Sequence, residues 1–184
     1  MTRFFMLAAT AMLCTSATVA VAQHAATSDR QTHGTVSPPD EREPLHFPPA
    51  MQASFLGNMR DHMQTLDGIL HAVAAGDFAS ASQIASERLG LDSPSAAGCR
   101  PTDAAATGSA STVRPVAPGS MDEMMALYMP EAMRALGLSM HSSASEFAAV
   151  AAQAATTHDS SAVVGALSRV TRNCVACHSA YRVR

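Results

Sequence analysis

The sequence has no tryptophan, and aromatic residues account for only 4% of its 184 residues. Aromatic and β-branched side chains favour strands, so their scarcity argues against a fold built on a sheet. The chain is instead rich in alanine and methionine, which favour helices. The composition therefore predicts an all-α protein.

Lysine is absent, since all 12 basic side chains are arginine, and the formal net charge is only −3. So small a charge argues against nucleic acid or a charged membrane surface as a partner. Enzyme motifs are missing as well. No serine lies in a Gly-x-Ser-x-Gly turn, no glycine-rich phosphate loop occurs, and the acidic residues are scattered. We therefore expect that the protein is not an enzyme.

The apolar run from Phe4 to about Val21 is short for a membrane span. It follows the basic residue Arg3 and ends in Ala20-Val21-Ala22, which is typical of a secretory signal peptide. We predict a signal peptide over residues 1–22, cleavage near Ala22, and a periplasmic chain with no stable membrane insertion. The mature chain of about 160 residues is long enough for one domain with its own core.

Residues 23–47 are polar and contain proline, so we expect a flexible N-terminal arm that is ordered only if it docks. Residues 48–184 carry the helical patterns. Pro48-Pro49 opens the first helix, Gly76 ends it, and Asp77 is placed to cap a second helix over 78–89. From 90 to 120 the chain is rich in proline, glycine and serine, which predicts a mobile loop.

The first helix carries apolar residues at spacings of three and four, which predicts one buried stripe. Its members are Met51, Phe55, Met59, Met63, Leu66, Leu70 and Val73. The second helix should turn Ala81, Ile84, Ala85 and Leu89 inward.

The helical pattern resumes at Met121, can break at Pro130, and continues to about Val150 before a turn that Asp159 is placed to cap. The last helix has the clearest stripe, with spacings of four and three that are typical of a helical bundle. This stripe consists of Val163, Leu167, Val170, Cys174, Cys177 and Tyr181.

Within the last helix stands the pentapeptide Cys174-Val175-Ala176-Cys177-His178. Cys-x-x-Cys-His is the attachment signature of a c-type haem. Cysteines three apart lie on one face of a helix, where each thiol can add across one porphyrin vinyl group. His178 can then offer its imidazole to the iron. We predict one covalent haem c; the alternative is a buried cysteine pair beside a surface histidine.

The tail that continues to Tyr181 and Arg182 resembles the end of the class II c-type cytochromes, the cytochrome c′ family. The resemblance covers the last helix strongly, and the preceding and first helices by pattern. It implies an antiparallel four-helix bundle with the haem on the C-terminal helix, and association of two chains into a homodimer as an open possibility. In that family a methionine on the first helix can be the sixth iron ligand, or the position can stay empty.

Three side chains of the first helix are candidates for the sixth ligand, and a vacant position is the remaining possibility. Family register favours Met59, with Met63 one turn further and His62 as a nitrogen alternative that would lower the potential. A methionine on such a stripe is otherwise a packing residue. With His178 and Met59 as ligands, the iron suits one-electron transfer to and from redox partner proteins.

Two other functions stay open. An open distal face lined by Phe55, Met59 and Met63 would bind small gases such as NO or CO. A second cluster combines soft ligands, which suits a Met-rich copper-binding protein in which Cys-x-x-Cys-His is itself a metal or dithiol site. That cluster consists of Met121, Met124, Met125, Met129, Met133, Met140 and His141. Cys99 would be left as a lone thiol, able to join two chains, to react, or only to lie in the loop.

Overall fold

A computed structural model describes residues 39–100 and 121–184 of the chain. The predicted signal peptide, most of the predicted arm and residues 101–120 of the predicted loop lie outside this part. The fold is mostly helical, as the composition predicts. No helix in the described ranges is long and apolar enough to cross a membrane. The elements are β1 (Glu43–Leu45), α1 (Pro49–Ala74), α2 (Phe78–Arg88), a 3₁₀ helix (Pro94–Cys99), α3 (Met121–Tyr128), α4 (Glu131–Thr157), α5 (Ser160–Ala180) and β2 (Tyr181–Val183).

The turn between α1 and α2 forms as its sequence predicts. Gly76 has a positive φ of 72°, which glycine adopts without strain. The N–H groups of Gly76 and Asp77 donate to the carbonyls of Val73 and Ala72, so the last turn of α1 closes in a Schellman motif. The Asp77 carboxylate then accepts from the Ser80 N–H at 3.0 Å and caps α2. The predictions of a stop at Gly76 and a cap at Asp77 are confirmed.

The predicted boundaries of α4 and α5 are also confirmed. Pro130 separates the short helix α3 from α4, because proline has no backbone N–H to continue the hydrogen bonds of α3. Helix α4 ends at His158 in the left-handed region, with a φ of 57°. The Asp159 carboxylate accepts from the Ala162 N–H at 2.9 Å and caps α5. Only His158 and Asp159 separate the two helices.

Helix α4 is the centre of the packing, because it lies against both α2 and α5, while α1 lies against α2. Phe147 of α4 is completely buried and is the largest such side chain. The facing positions of α2 are Ala81 and Ala85, both fully buried and small enough for close helix approach. Burial of Val163 and Val170 confirms the predicted stripe of α5 as far as the Cys-x-x-Cys-His segment.

The predicted stripe of α1 is wrong at Met63 and Leu70, whereas Leu66 and Val73 pack against the core as predicted. Met51 and Phe55 are buried, but Met63 is 66% exposed and Leu70 49% exposed, whereas Ile69 is only 1% exposed. At 100° per residue, each step of four turns the stripe by about 40°, so after two such steps Met63 lies about 80° from Phe55 around the axis. His62 lies about 20° from Phe55 on the opposite side. The buried face therefore continues through His62 rather than Met63.

The end of the predicted arm is ordered because it docks against the residues that follow α5. Strand β1, inside the region predicted to be flexible, pairs in parallel with β2, and Leu45 lies opposite Val183. Leu45 and Phe47 are buried, so this part of the predicted arm is docked. Tyr181 has extended backbone, and the predicted helical stripe therefore stops at Ala180. Strands of three residues are too short for a periodic signal, and their partners are far apart in sequence.

The start of the predicted mobile loop is packed. The 3₁₀ helix buries Ala96, and the preceding Ser93 hydroxyl donates to the Gly90 carbonyl at 2.6 Å. Arg100 closes the segment by donating to the Leu91 carbonyl at 2.5 Å, and its side chain is 7% exposed. These bonds satisfy irregular backbone locally, which a search for helical periodicity does not detect.

Candidate functional site

The hydrophobic core is divided into two clusters. The larger one joins α2, α4, α5 and the second half of α1, and Cys174 packs at its border. The smaller one has Cys177 and Met59 at its border and consists of Leu45, Phe47, Met51, Phe55, Met125, Met129 and Met133. Protein cores are normally continuous and close-packed, so a division at the two cysteines marks a place where the chain leaves space.

That space is a groove between α1, α4 and α5, with about 920 Å³ free of protein atoms when its open mouth is counted. Its lining is almost wholly apolar, with Phe55 and Leu66 from α1, Leu136 and Met140 from α4, and Val170 from α5. We call it the central groove.

The four side chains predicted as the haem site all line the central groove: Cys174, Cys177, His178 and Met59. Both cysteines are half-buried, and burial raises the pKa of each thiol above its ordinary value. Both groups are therefore thiols at neutral pH, with Cys174 Sγ 3.5 Å from the Val170 carbonyl. His178 is exposed at the edge of the groove.

The three ligand candidates of α1 differ in their surroundings. Met59 is half-buried and lines both the central groove and a smaller neighbouring one. Met63 reaches the central groove only at its rim, because two thirds of its surface is exposed. His62 is half-buried, with its Nε2 atom buried and without a hydrogen-bond partner among the described residues. Burial lowers the pKa of His62 to about 4, and the nearby His141 and His178 act in the same direction.

His141 of α4 faces His62 across the central groove. Their ring centroids are 5.5 Å apart and their planes are nearly perpendicular, at 79°. His141 is completely buried, and its Nδ1 lies 2.8 Å from the Leu89 carbonyl oxygen. A carbonyl only accepts, so Nδ1 carries the proton and Nε2 is the nitrogen with the lone pair. That Nε2 atom also lacks a partner among the described residues, and burial lowers the pKa of the imidazole.

The smaller groove, of about 740 Å³ with its open mouth included, adjoins Cys177 and His178 and carries positive charge. Arg42 and Arg182 line it, and both pair with Asp40, at 2.8 Å and 3.4 Å. The hydrogen bond from Arg42 holds the pKa of that carboxyl well below its usual range. Two guanidinium groups share one carboxylate, so the site keeps a net positive charge beside the end of α5.

The methionine cluster proposed for copper is mainly packing. Met125, Met129, Met133 and Met140 are all buried in the two core clusters. Met121 and Met124 are exposed on α3, at 40% and 39%. Cys99 also lines the central groove, and a Cβ added at Gly137 would overlap its sulfur atom. Among the described residues, no group of three or more His, Cys, Asp or Glu side chains could hold a metal ion.

The pairing of His62 with His141 was missed from the sequence, although each histidine was noted separately. One signal could have found it. His62 lies within about 20° of Phe55 around α1, and His141 directly follows the buried Met140. Each is thus a titratable side chain within an otherwise apolar stripe. Their mutual approach depends on how α1 and α4 pack.

Comparisons of the chain with protein families, with curated proteins and with solved structures give no match. Functional inference therefore depends on the geometry of the grooves and on the chemistry of the side chains that line them.

Proposed function

We propose that the protein is a periplasmic mono-haem c-type cytochrome that carries single electrons. In this proposal α1, α2, α4 and α5 form an antiparallel four-helix bundle, and the haem is attached to α5. The observation that carries the proposal is that Cys174, Cys177, His178 and Met59 line one apolar groove. The short turns after α1 and α4 support the antiparallel arrangement.

The residues present fit a haem in three respects. The central groove is open where the two core clusters separate, and both cysteines stand at that boundary. Its walls are aliphatic and thioether groups, which suit an apolar porphyrin. Beside it, Arg42 and Arg182 provide cationic groups for carboxylates. An isolated buried cysteine pair would need none of this space.

Each residue has a separate task in this proposal. Cys174 and Cys177 would hold the porphyrin on α5 through two thioethers, and His178 and Met59 would bind the iron. A haem bound in this way supplies a reversible Fe(III)/Fe(II) couple, and thioether ligation favours the reduced state. The apolar walls of the groove exclude water and keep the surroundings of the iron similar in both states.

The test is the mass of the denatured, purified protein after export from a bacterium able to attach haem c. We expect one haem per chain, covalently retained, and a chain that begins near Gln23. Changing both Cys174 and Cys177 to alanine should abolish retention, whereas Cys99→Ala should keep it. The Cys99 variant is the matched control, because Cys99 lines the same groove outside the pentapeptide. Wild-type protein without covalent haem would refute the proposal.

A further inference from the structure

Two buried imidazole nitrogens of the central groove have no role in the proposed haem attachment. They are the Nε2 atoms of His62 and His141, and neither has a hydrogen-bond partner among the described residues. A buried polar atom without a partner costs about 1–3 kcal/mol. His141 is completely buried, so its nitrogen has no route to bulk solvent. Because the two unpaired nitrogens belong to facing helices, they indicate one ligand that binds both of them.

The orientation of His141 is that of a metal-binding histidine. Its Nδ1–H donates to the Leu89 carbonyl at 2.8 Å, which fixes the ring and leaves the Nε2 lone pair directed elsewhere. Metal-ligating histidines in proteins characteristically donate their second N–H to a carbonyl or a carboxylate in this way. The His62 Nε2 atom makes no hydrogen bond to the described residues, so it is also available to a shared ion.

The separation of the two rings suits one ion between them. A ring nitrogen lies about 1 Å from its centroid and a metal–nitrogen bond is about 2 Å, so two imidazoles on one ion have centroids at most about 6 Å apart. The observed separation is 5.5 Å. The perpendicular ring planes present no obstacle, because each ring can rotate about its own metal–nitrogen bond.

The chemistry of the groove selects the ion. Its lining contains no carboxylate, and the sulfur donors that line it are the thioethers of residues such as Met140 and the thiols of Cys99, Cys174 and Cys177. A divalent ion would keep most of its charge in an apolar cavity, which is costly. Zn²⁺ also requires about four donors. Cu(I) carries one charge, binds thioethers and imidazoles well, and accepts low coordination numbers.

We propose that His62 and His141 bind one Cu(I) ion through their Nε2 atoms, between α1 and α4 in the groove that Cys174, Cys177 and His178 also line. This site keeps His141 from the sequence-based copper cluster and adds His62 of α1, whereas Met125, Met129 and Met133 of that cluster are core residues. It does not depend on the proposed haem function, since neither histidine takes part in the attachment.

The test uses the exported, full-length mature protein with whatever haem it carries. The protein is loaded anaerobically with Cu(I), dialysed against a Cu(I) chelator and analysed for copper and iron by elemental analysis. We expect one copper per chain. His62→Leu should weaken copper binding at least about 10-fold. Removing a group that only orients a metal ligand already weakens binding by about this factor, so removing a ligand should do no less. His71→Leu, an exposed histidine on the same helix, should bind as the wild type does.

X-ray absorption at the copper edge should show two imidazole nitrogens in the wild-type protein. His141→Leu should also lose copper, and if that variant does not fold, the half-buried His62 still tests the site. Absence of copper after dialysis, equal binding by His62→Leu, or a preference for Zn²⁺ would overturn the inference. Loss of copper in Cys99→Ser with intact histidines would overturn it too. Iron content and covalent mass report on the haem proposal separately.

Discussion

Truncation of Met59 is the sharpest test of whether α1 supplies a ligand to the proposed haem iron, because Met63 is a matched control on the next turn. Both are methionines of α1 that line the central groove, yet Met59 is half-buried and Met63 is 66% exposed. If Met59 is the distal ligand, Met59→Ala should open the sixth position. Met63→Ala should leave it filled, because a side chain at the rim is not directed at the groove interior.

The two substitutions should also differ in stability. Truncating a fully buried methionine to alanine costs about 2–5 kcal/mol, so the half-buried Met59 should cost about 1–2 kcal/mol through packing alone. The exposed Met63 should cost less than about 0.5 kcal/mol. An iron–sulfur bond would add to the loss at Met59 in the haem-loaded protein only. Comparing urea unfolding with and without haem therefore separates packing from ligation.

The assay is the absorption spectrum of the reduced protein before and after addition of carbon monoxide. The wild type and Met63→Ala should have sharp low-spin bands that do not respond to the gas. Met59→Ala should have broad high-spin bands that shift when the gas binds. If Met59→Ala stays low-spin, Met59 is not the ligand. A wild type that already binds carbon monoxide would instead favour the gas-binding alternative.

Three further predictions concern the packing that positions the grooves. Phe147→Ala should lower the free energy of unfolding, measured in urea, by about 3–5 kcal/mol. The control, Leu127→Ala, should lower it by less than about 0.5 kcal/mol, because Leu127 is 76% exposed. A loss near 1 kcal/mol for Phe147→Ala would contradict the assigned core. Gly137→Ala should cost about 1–3 kcal/mol by overlap with the Cys99 sulfur, and a Cys99→Ala background should recover part of it. Additive effects in that double-mutant cycle would rule out the contact. Gly76→Ala should cost about 1–2 kcal/mol from its positive φ alone, since a Cβ there meets no neighbour; unchanged thermal stability would refute this.

Local features of this protein could be predicted well from sequence. Asp77 and Asp159 cap helices because a short carboxylate at that position accepts from the N–H three residues on, wherever the helix packs. Gly76 ends α1 through its own backbone freedom. The stripe of α5 is also local, since alternating steps of four and three keep its residues on one face.

Features that depend on other segments could not be predicted. The docking of residues 43–45 requires the end of α5 as its partner strand, more than a hundred residues away in the chain. The segment between α2 and the 3₁₀ helix is tied to α4 by the hydrogen bond from the Leu91 N–H to the Ser145 hydroxyl. Met63 lies outward because repeated steps of four residues rotate the stripe around the axis of α1. A list of apolar spacings does not show this rotation.

The Cys-x-x-Cys-His segment by itself determines the predicted chemistry, because two thiols and an imidazole at this spacing share one helix whatever surrounds them. Only the tertiary structure decided what faces them. Packing of α1, α4 and α5 divides the core at the two cysteines and brings Met59 to the groove. It also places the ring centroids of His62 and His141 5.5 Å apart. The physical reason is that helical periodicity states which face of a helix is buried, whereas the partner of that face depends on contacts between distant segments.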